Sequence, residues 1–302
     1  MPPQKMANMG KILIAGANGA LGKTLIGLLG PEVAVVGTRR QNWGEGSFDH
    51  VCLANDEAIK ALDWRKFRAV INVAGRVQGN IDELTDANVN FPTKLARAAR
   101  EGGAKQFVQV SSFAVYGSAE YIDDNTPEAP ANDYGHTKAE GDRQLHALAA
   151  ENFFIASLRL PFLFDWDRPA LFRPLLNAVR LLPYFPVASQ PMMRSMISYT
   201  DAAITLRAAL DSRRTGIFHA AAPTPFDLDI LSRLIFEESE FRLRTIPMPD
   251  LLTGIIRRGV PEIYRRLFKS SILSPEINMA LGNADIIDIE VPLRMLVRKY
   301  FQ

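Results

Sequence analysis

The chain has 302 residues, 47% hydrophobic and 23% charged, with a formal net charge of +2. That balance is globular, long enough for one large core or two joined ones, and too near neutrality for general affinity to nucleic acid. The single cysteine, Cys52, excludes an intramolecular disulfide and a cysteine-cluster metal site and fits a reducing compartment. The four histidines (His50, His136, His146, His219) lack metal-ligand spacing, so no metal is expected.

Residues 1–9 read as a loose tail, not a signal peptide, because the apolar run after them stops at once in glycine. "KILIAGA" is continuously apolar, as a strand buried on both faces is. "LGKTLIGLLG" follows with helical spacing, and "EVAVVGT" is a second apolar strand. Between the first strand and the first helix, "GANGALG" sets Gly16, Gly19 and Gly22 in a G-x-x-G-x-x-G pattern. The first glycine permits a sharp turn, the second lets a pyrophosphate approach the backbone, and the third lets helix and strand pack closely. The helix N-terminus then offers N–H donors to the phosphates. At the end of the second strand an NAD-preferring site usually carries Asp or Glu, yet "VVGTRR" places Thr38, Arg39 and Arg40 there. A guanidinium binds the 2′-phosphate that a carboxylate would repel, which favours NADP(H) over NAD(H).

After "EAIKALDWRKF" come the strand "AVINVAG", the helix "NFPTKLARAAREGG" and the strand "QFVQVSS". Strands alternating with helices over this length predict a parallel, doubly wound α/β sheet of Rossmann type. In "DYGHTKAEGD", Tyr134 and Lys138 are four apart on one helix face, a spacing that an ordinary solvated face also presents. "FFIASLRLP" and "GIFHAAA" read as further strands. Residues 162–196 change character, rich in Pro, Leu, Phe and Arg. From residue 223 a helix, "PFDLDILSRLIFEESE", precedes "FRLRTIPMP" and two basic, apolar segments, "LLTGIIRRGV" and "PEIYRRLFKSS". The division expected is a dinucleotide-binding domain of residues 10–162 with 196–222, and a smaller, interrupted C-terminal substrate lobe of 163–195 with 223–302. Residues 241–300 carry ten Lys/Arg against six Asp/Glu, an excess of four. A lobe helix with its arginines in water or at a diphosphate is favoured over one lying on an anionic membrane. No stretch approaches the ~18–20 apolar residues of a membrane span. A cytoplasmic protein is expected, and a homodimer is compatible with the sequence.

With these pieces together, the chain resembles the extended short-chain dehydrogenase/reductase family, and within it the nucleotide-sugar epimerases and ketoreductases related to UDP-galactose 4-epimerase. The resemblance rests on several motifs in order: "GANGALG", "VINVAG", "NVNFPTKLARAAREGGAKQFVQVSS", "SSFAVYG", "YGHTK", "MMRSMISYTDAA" and "SSILSPEINMALG". It implies Tyr134 as general acid/base, Lys138 as its electrostatic partner and Ser112 as the hydroxyl that holds the substrate oxygen. It implies Gly16, Gly19, Ala20, Leu21 and Gly22 at the pyrophosphate. Val73, Ala74, Gly75 and Arg76 would line the cofactor beyond the fourth strand, and Pro161 would flank the nicotinamide. Phe162 and Arg194 would shape the substrate site, the arginine at a diphosphate. The acidic residue usual after the second strand is missing, and Leu53 falls where an Asp usually sits near the adenine.

A free phenol has a pKa of about 10, and bringing it near 7 requires roughly 4 kcal/mol of preference for the phenolate. One ammonium at about 4 Å supplies that at an effective dielectric near 20, so Lys138 is expected to make Tyr134 competent if the two are close and partly buried. The related 4,6-dehydratases carry an acidic pair directly after the active-site hydroxyl. Here Phe113 and Ala114 stand there, and neither transfers a proton. Cys52 lies in the wrong part of the chain for the cysteine acid/base of the 3,5-epimerising relatives. Hydride chemistry at a sugar alcohol or ketone, at C4, is the remaining expectation. An NADP(H)-linked reductase of a 4-keto nucleotide sugar is favoured by Arg39 and Arg40. A 4-epimerase is the alternative, and a non-catalytic NADP-binding regulator is a third reading that the retained Ser112, Tyr134 and Lys138 disfavour.

Overall fold

The computed structural model describes residues 10–301 apart from 32, 40–47, 166, 168–171, 182–183, 188–191, 240, 242–243, 248, 250–257, 259–268 and 279–285. The N-terminal tail, Arg40 and most of the segment "LLTGIIRRGVPEIYRRLF" therefore lie outside the described residues.

β1 (Lys11–Ala15) turns through glycine into α1 (Ala20–Leu29), and β2 (Ala34–Thr38) follows. β3 (Asp49–Cys52) is a strand the sequence pattern does not announce. It lies at the sheet edge and is only partly buried, so it needs neither an apolar run nor clean alternation. α2 (Asp56–Lys60), β4 (Phe67–Asn72), α3 (Ile81–Thr85), a wide π-type turn (Asp86–Asn90) and α4 (Phe91–Glu101) lead to β5 (Gln106–Ser112). A 3₁₀ turn (Phe113–Tyr116) and β6 (Tyr121–Ile122) precede α5 (Asp133–His146) and β7 (Phe154–Leu160). Beyond these come β8 (Phe162–Phe164), α6 (Phe172–Leu181), β9 (Tyr184–Val187), β10 (Met196–Ser198), α7 (Tyr199–Ser212) and β11 (Gly216–His219). The chain continues with α8 (Leu228–Ser239), β12 (Arg244–Pro247), β13 (Ile272–Leu273), α9 (Pro275–Asn278) and α10 (Glu290–Phe301).

Seven strands form one parallel sheet in the order β3-β2-β1-β4-β5-β7-β11, a Rossmann-like α/β fold as the alternation of elements predicts. Strand side chains alternate between its two faces. Ile12, Ile14 and Ile71 pack with Leu25, Leu206 and Leu210 of α1 and α7. Leu13, Val70 and Phe107 pack with Leu95, Ala99 and Leu145 of α4 and α5 on the other face. Ile12, Leu13 and Ile14 are all fully buried, each contributing ~1.5–3 kcal/mol of transfer free energy. Because the connections leave β1 in opposite directions, a crevice opens at the carboxyl ends of β1 and β4, where ligands bind in such sheets.

A third apolar cluster joins Phe164, Phe172 and Phe226 to Leu231, Leu234, Leu293 and Leu296, and so ties α6, α8 and α10 together. Arg294 and Arg298 of α10 pair with Glu237 and Glu238 of α8, which neutralises part of the C-terminal excess of positive charge. Three short parallel pairs, β8–β10, β9–β12 and β6–β13, lie outside the main sheet. The last of them links the loop after Ser112 to the C-terminal region. Among the described residues no helix is long and apolar enough to cross a membrane, and no group of His, Cys, Asp or Glu could hold a metal ion.

Candidate active site

The glycine turn is built as the motif requires. Gly16 has φ +87°, and a Cβ there would come within 2.5 Å of the backbone nitrogen of Ala74, so β1 and the loop after β4 can approach only over a glycine. A Cβ on Gly22 would meet the Gly16 carbonyl oxygen at 2.5 Å, which is the close contact of helix and strand. Gly19 is the N-cap of α1, and no side chain caps that helix, nor does an acidic residue stand in its first turn. The N–H groups and the positive end of the helix dipole are left facing the crevice. Leu21 and Gly22 are themselves buried, Leu21 in the core, and Val73 packs against that core as well.

A cavity of about 240 Å³ beside this turn is lined by Gly16, Thr38, Arg39, Ala74, Gly75 and Arg76, which the sequence assigned to the cofactor. Leu53, the residue at the adenine position, lines it too. The cavity also includes Asn18, Ala87 and Phe91, which the sequence reading did not select. Arg39 lies over the Phe91 ring, 5.1 Å from its centroid, and donates to Asp86 Oδ2 at 3.0 Å. The Thr38 hydroxyl is 2.9 Å from His50 Nε2. Asn88 fixes the wall beyond β4. Its carbonyl oxygen accepts from Arg76 N at 2.9 Å, and its amide donates to Arg76 O at 2.8 Å and to Thr137 Oγ1 of α5 at 3.1 Å. Asn88 lies inside the matched stretch "NVN", but nothing in its spacing marks a contact to α5.

α5 starts where Asn132 accepts from Gly135 N at 2.9 Å, an N-cap that sets the helix register for Tyr134 and Lys138. Ser112 ends β5, and its hydroxyl accepts from Ala114 N at 3.2 Å. It is also in hydrogen-bond contact with the Tyr134 phenol. Lys138 is buried, and its ammonium donates to the Val110 carbonyl of β5 at 2.7 Å. A Cβ on Gly75 would stand 3.3 Å from Lys138 Nζ, so the ammonium sits against the floor of the cofactor cavity.

One expectation about this pair is not met. Burial pushes the Tyr134 phenol above its ordinary value of 10, the Ser112 hydrogen bond opposes that, and Asp142 pushes it further up. No hydrogen bond joins Tyr134 to Lys138, whose head is turned to β5 instead. Lys138 is itself lowered to about 8 by burial, against the pull of Asp142. Lys138 is still mostly protonated at pH 7, but burial, Ser112 and Asp142 set the proton affinity of Tyr134, and the ammonium turned toward β5 does not.

Ser112, Tyr134, Pro161, Phe162 and Arg194 line one cavity of about 410 Å³, so five residues drawn from four separate motifs meet there. Phe113 and Ala114 line it as well. Arg194 is held at the meeting of three segments. Its backbone bridges to Phe226 and Ser271, and its Nη2 donates to the Lys269 carbonyl at 3.0 Å. Lys269 lines the same cavity and lies 3.3 Å from Glu120. No sequence signal marks Lys269, which is over 100 positions from the Ser and Tyr motifs.

A parallel sheet of this order, with an open glycine turn at its crevice and Ser, Tyr and Lys gathered beside it, defines an extended short-chain dehydrogenase/reductase. The chain belongs to the NAD dependent epimerase/dehydratase family, whose profile matches residues 12–164. A stretch of 164 residues, 51% of the chain, is 29% identical to the methionine adenosyltransferase 2 subunit beta of Xenopus tropicalis and spans 47% of that protein, about half its length. MoeE5 in complex with UDP-glucose and NAD superimposes with a TM-score of 0.73 at 18% identity, over 96% of this chain and 98% of that one. A dTDP-4-dehydrorhamnose reductase of Clostridium acetobutylicum gives 0.69 at 22% identity, over 96% and 98%. These likenesses are of fold.

Proposed function

We propose that the protein is an NADP(H)-linked oxidoreductase that reduces the 4-keto group of a nucleoside-diphosphate sugar. The observation that carries this reading is the gathering of Ser112, Tyr134 and Arg194 on one cavity while Lys138 sits against Gly75 of the neighbouring one. Residues 10–162 with 196–222 would hold the cofactor, and residues 163–195 with 223–302 would close over the sugar. The residues present fit a dinucleotide: Gly16 and Gly22 allow strand, loop and helix to close into a tight turn, and α1, capped only by Gly19, presents N–H groups without a side-chain partner to a pyrophosphate. Arg39 would bind a 2′-phosphate in exchange for Asp86. When bound, a reduced nicotinamide supplies hydride. Tyr134 gives its proton to the substrate oxygen, and Ser112 donates a hydrogen bond to the same oxygen as negative charge grows on it. The raised affinity of Tyr134 for its proton suits a donor better than a base. Lys138 stabilises the tyrosinate left behind, and Arg194 binds the diphosphate.

The 4-epimerase alternative keeps the same groups, with Tyr134 taking a proton before returning it; the family description and the UDP-glucose and NAD in MoeE5 support it. A second reading, a non-catalytic NADP-binding regulator, draws support from the relative that is a subunit beta of methionine adenosyltransferase 2. A thermal-shift screen of NAD(H), NADP(H), UDP-sugars and dTDP-sugars, followed by mass spectrometry of products, separates the three. Consumption of NADPH with a reduced sugar is expected. Isomerised sugar without net redox change favours epimerisation, and cofactor binding without turnover of any sugar favours the regulator.

A further inference from the structure

Beneath the candidate catalytic groups lies a buried ionic network that the proposed reaction does not use. Asp142 of α5 is 3% exposed and stands four residues after Lys138 and eight after Tyr134, on the same helix face. Its Oδ2 accepts from Ser111 Oγ at 2.7 Å and from Arg159 Nε at 3.1 Å. Ser111 immediately precedes Ser112 on β5, and Arg159 stands two residues before Pro161 on β7. The two are register partners across the sheet. One carboxylate thus ties together the three elements that carry Ser112, Tyr134 with Lys138, and Pro161. Its Oδ1 is buried and has no hydrogen-bond partner among the described residues.

We propose that Asp142 is a positioning residue for Ser112, Tyr134 and Lys138, and that its charge keeps the buried Lys138 protonated. This rests on the roles given to those three residues under the proposed function. The surroundings leave few rivals for that electrostatic part. Arg159, from β7, faces the carboxylate and also pairs with the Tyr116 hydroxyl at 2.9 Å and with Glu128. Tyr116, from the 3₁₀ turn, is 2.6 Å from His219 Nε2 of β11, a histidine that burial and then Arg159 push down to about 4 and so keep neutral. His146, one turn further along α5, is hydrogen-bonded to Ser157 and lowered by burial. β5 offers the Val110 carbonyl and Ser111 on this side and the π-type turn offers Asn88, none of them charged, while Tyr134 one turn earlier on α5 keeps its proton. Four residues of helix rise about 6 Å. One helical turn thus separates the two backbones, and a buried carboxylate in that neighbourhood favours the protonated lysine, less the part of its charge that Arg159 offsets.

The test reads Lys138 directly in the cofactor-free protein, by lysine-selective ¹³C NMR against pH, with the resonance assigned by its loss in Lys138→Met. Asp142→Asn keeps the shape and can keep both hydrogen bonds while removing the charge. The Lys138 midpoint is expected to fall from about 8 by more than about half a pH unit. A residue that merely held the packing would give the opposite sign, because loosening admits water and moves Lys138 up toward 10.5. Ser111→Ala, which cuts one tie and leaves the charge, is expected to shift the midpoint by less than about half a pH unit. An unchanged or raised midpoint in Asp142→Asn overturns the proposal. Should that variant not fold, Asp142→Asn with Arg159→Gln is titrated beside Arg159→Gln alone: a lower midpoint in the double variant than in the single one supports the proposal, and an equal or higher one overturns it. No substrate enters this titration, so its failure is distinct from failure of the proposed reaction, which turnover by Tyr134→Phe reports.

Discussion

Replacing Lys138 by Met should abolish or slow the reaction yet strengthen the fold, and the size of that gain follows from its surroundings. Burial lowers the lysine from 10.5 to about 8, which corresponds to about 3 kcal/mol spent on keeping an ammonium at this place at neutral pH. The Val110 carbonyl that it contacts also accepts from Gln109 Nε2 at 2.9 Å, so the substitution orphans no acceptor. Methionine fills nearly the same length without charge. Below pH 8 the native and unfolded lysines are both protonated, and the penalty stands in full. Between pH 8 and 10.5 the native lysine has lost its proton and the unfolded one has not, so wild-type stability rises with pH. Above 10.5 both are neutral and the penalty is gone. Urea unfolding of both proteins without cofactor, from pH 7 to 10.5, should show Lys138→Met more stable by up to about 3 kcal/mol at pH 7. The difference should shrink from pH 8 upward. A wild type as stable as the variant at pH 7, or a difference indifferent to pH, would refute the idea that the ammonium is held against a desolvation cost.

Three further outcomes test the site itself. Tyr134→Phe keeps the ring and its packing, and should retain NADP(H) binding while slowing turnover ~10²–10⁴-fold, the range for loss of a general acid/base, measured in single-turnover experiments. Arg39→Asp should weaken NADPH much more than NADH in fluorescence titrations, since it puts a carboxylate where the 2′-phosphate would lie and beside Asp86; equal losses would show that Arg39 does not read that phosphate. Arg194→Ala should raise KM for a diphospho-sugar and leave cofactor affinity nearly unchanged, and steady-state kinetics showing unaltered saturation would remove Arg194 from the substrate site.

Much of the sheet is legible because strands buried on both faces must be apolar throughout. "KILIAGA", "AVINVAG", "QFVQVSS" and "FFIASLRLP" therefore announce themselves without regard to neighbours. β3 obeys no such demand at the sheet edge, and "DHVC" passes unnoticed. The glycine turn is legible for a related reason: Gly16 and Gly22 answer to backbone clashes that no other residue survives. What stays hidden is the direction of long polar side chains. Spacing puts Lys138 and Tyr134 on one face, but whether Nζ turns to the phenol or to Val110 depends on a strand about 28 residues away. Arg39 meets Asp86, and Arg194 meets the Lys269 carbonyl, across still longer separations. Asp142 reads as a surface residue in "KAEGD" until β5 and β7 close over it.

The packing of the glycine turn against Ala74, and of Arg39 over Phe91, has a consequence for the order in which the two cavities come into being. Every residue that lines the cofactor cavity has been synthesised once the chain reaches position 91, whereas the neighbouring cavity needs Ser271. The interval is 180 residues (271 − 91), or roughly 10–35 s on a ribosome moving at ~5–20 residues per second. The lining of one cavity is thus complete in the nascent chain long before that of the other, although Lys138 and the strands β5, β7 and β11 that finish the sheet still follow it.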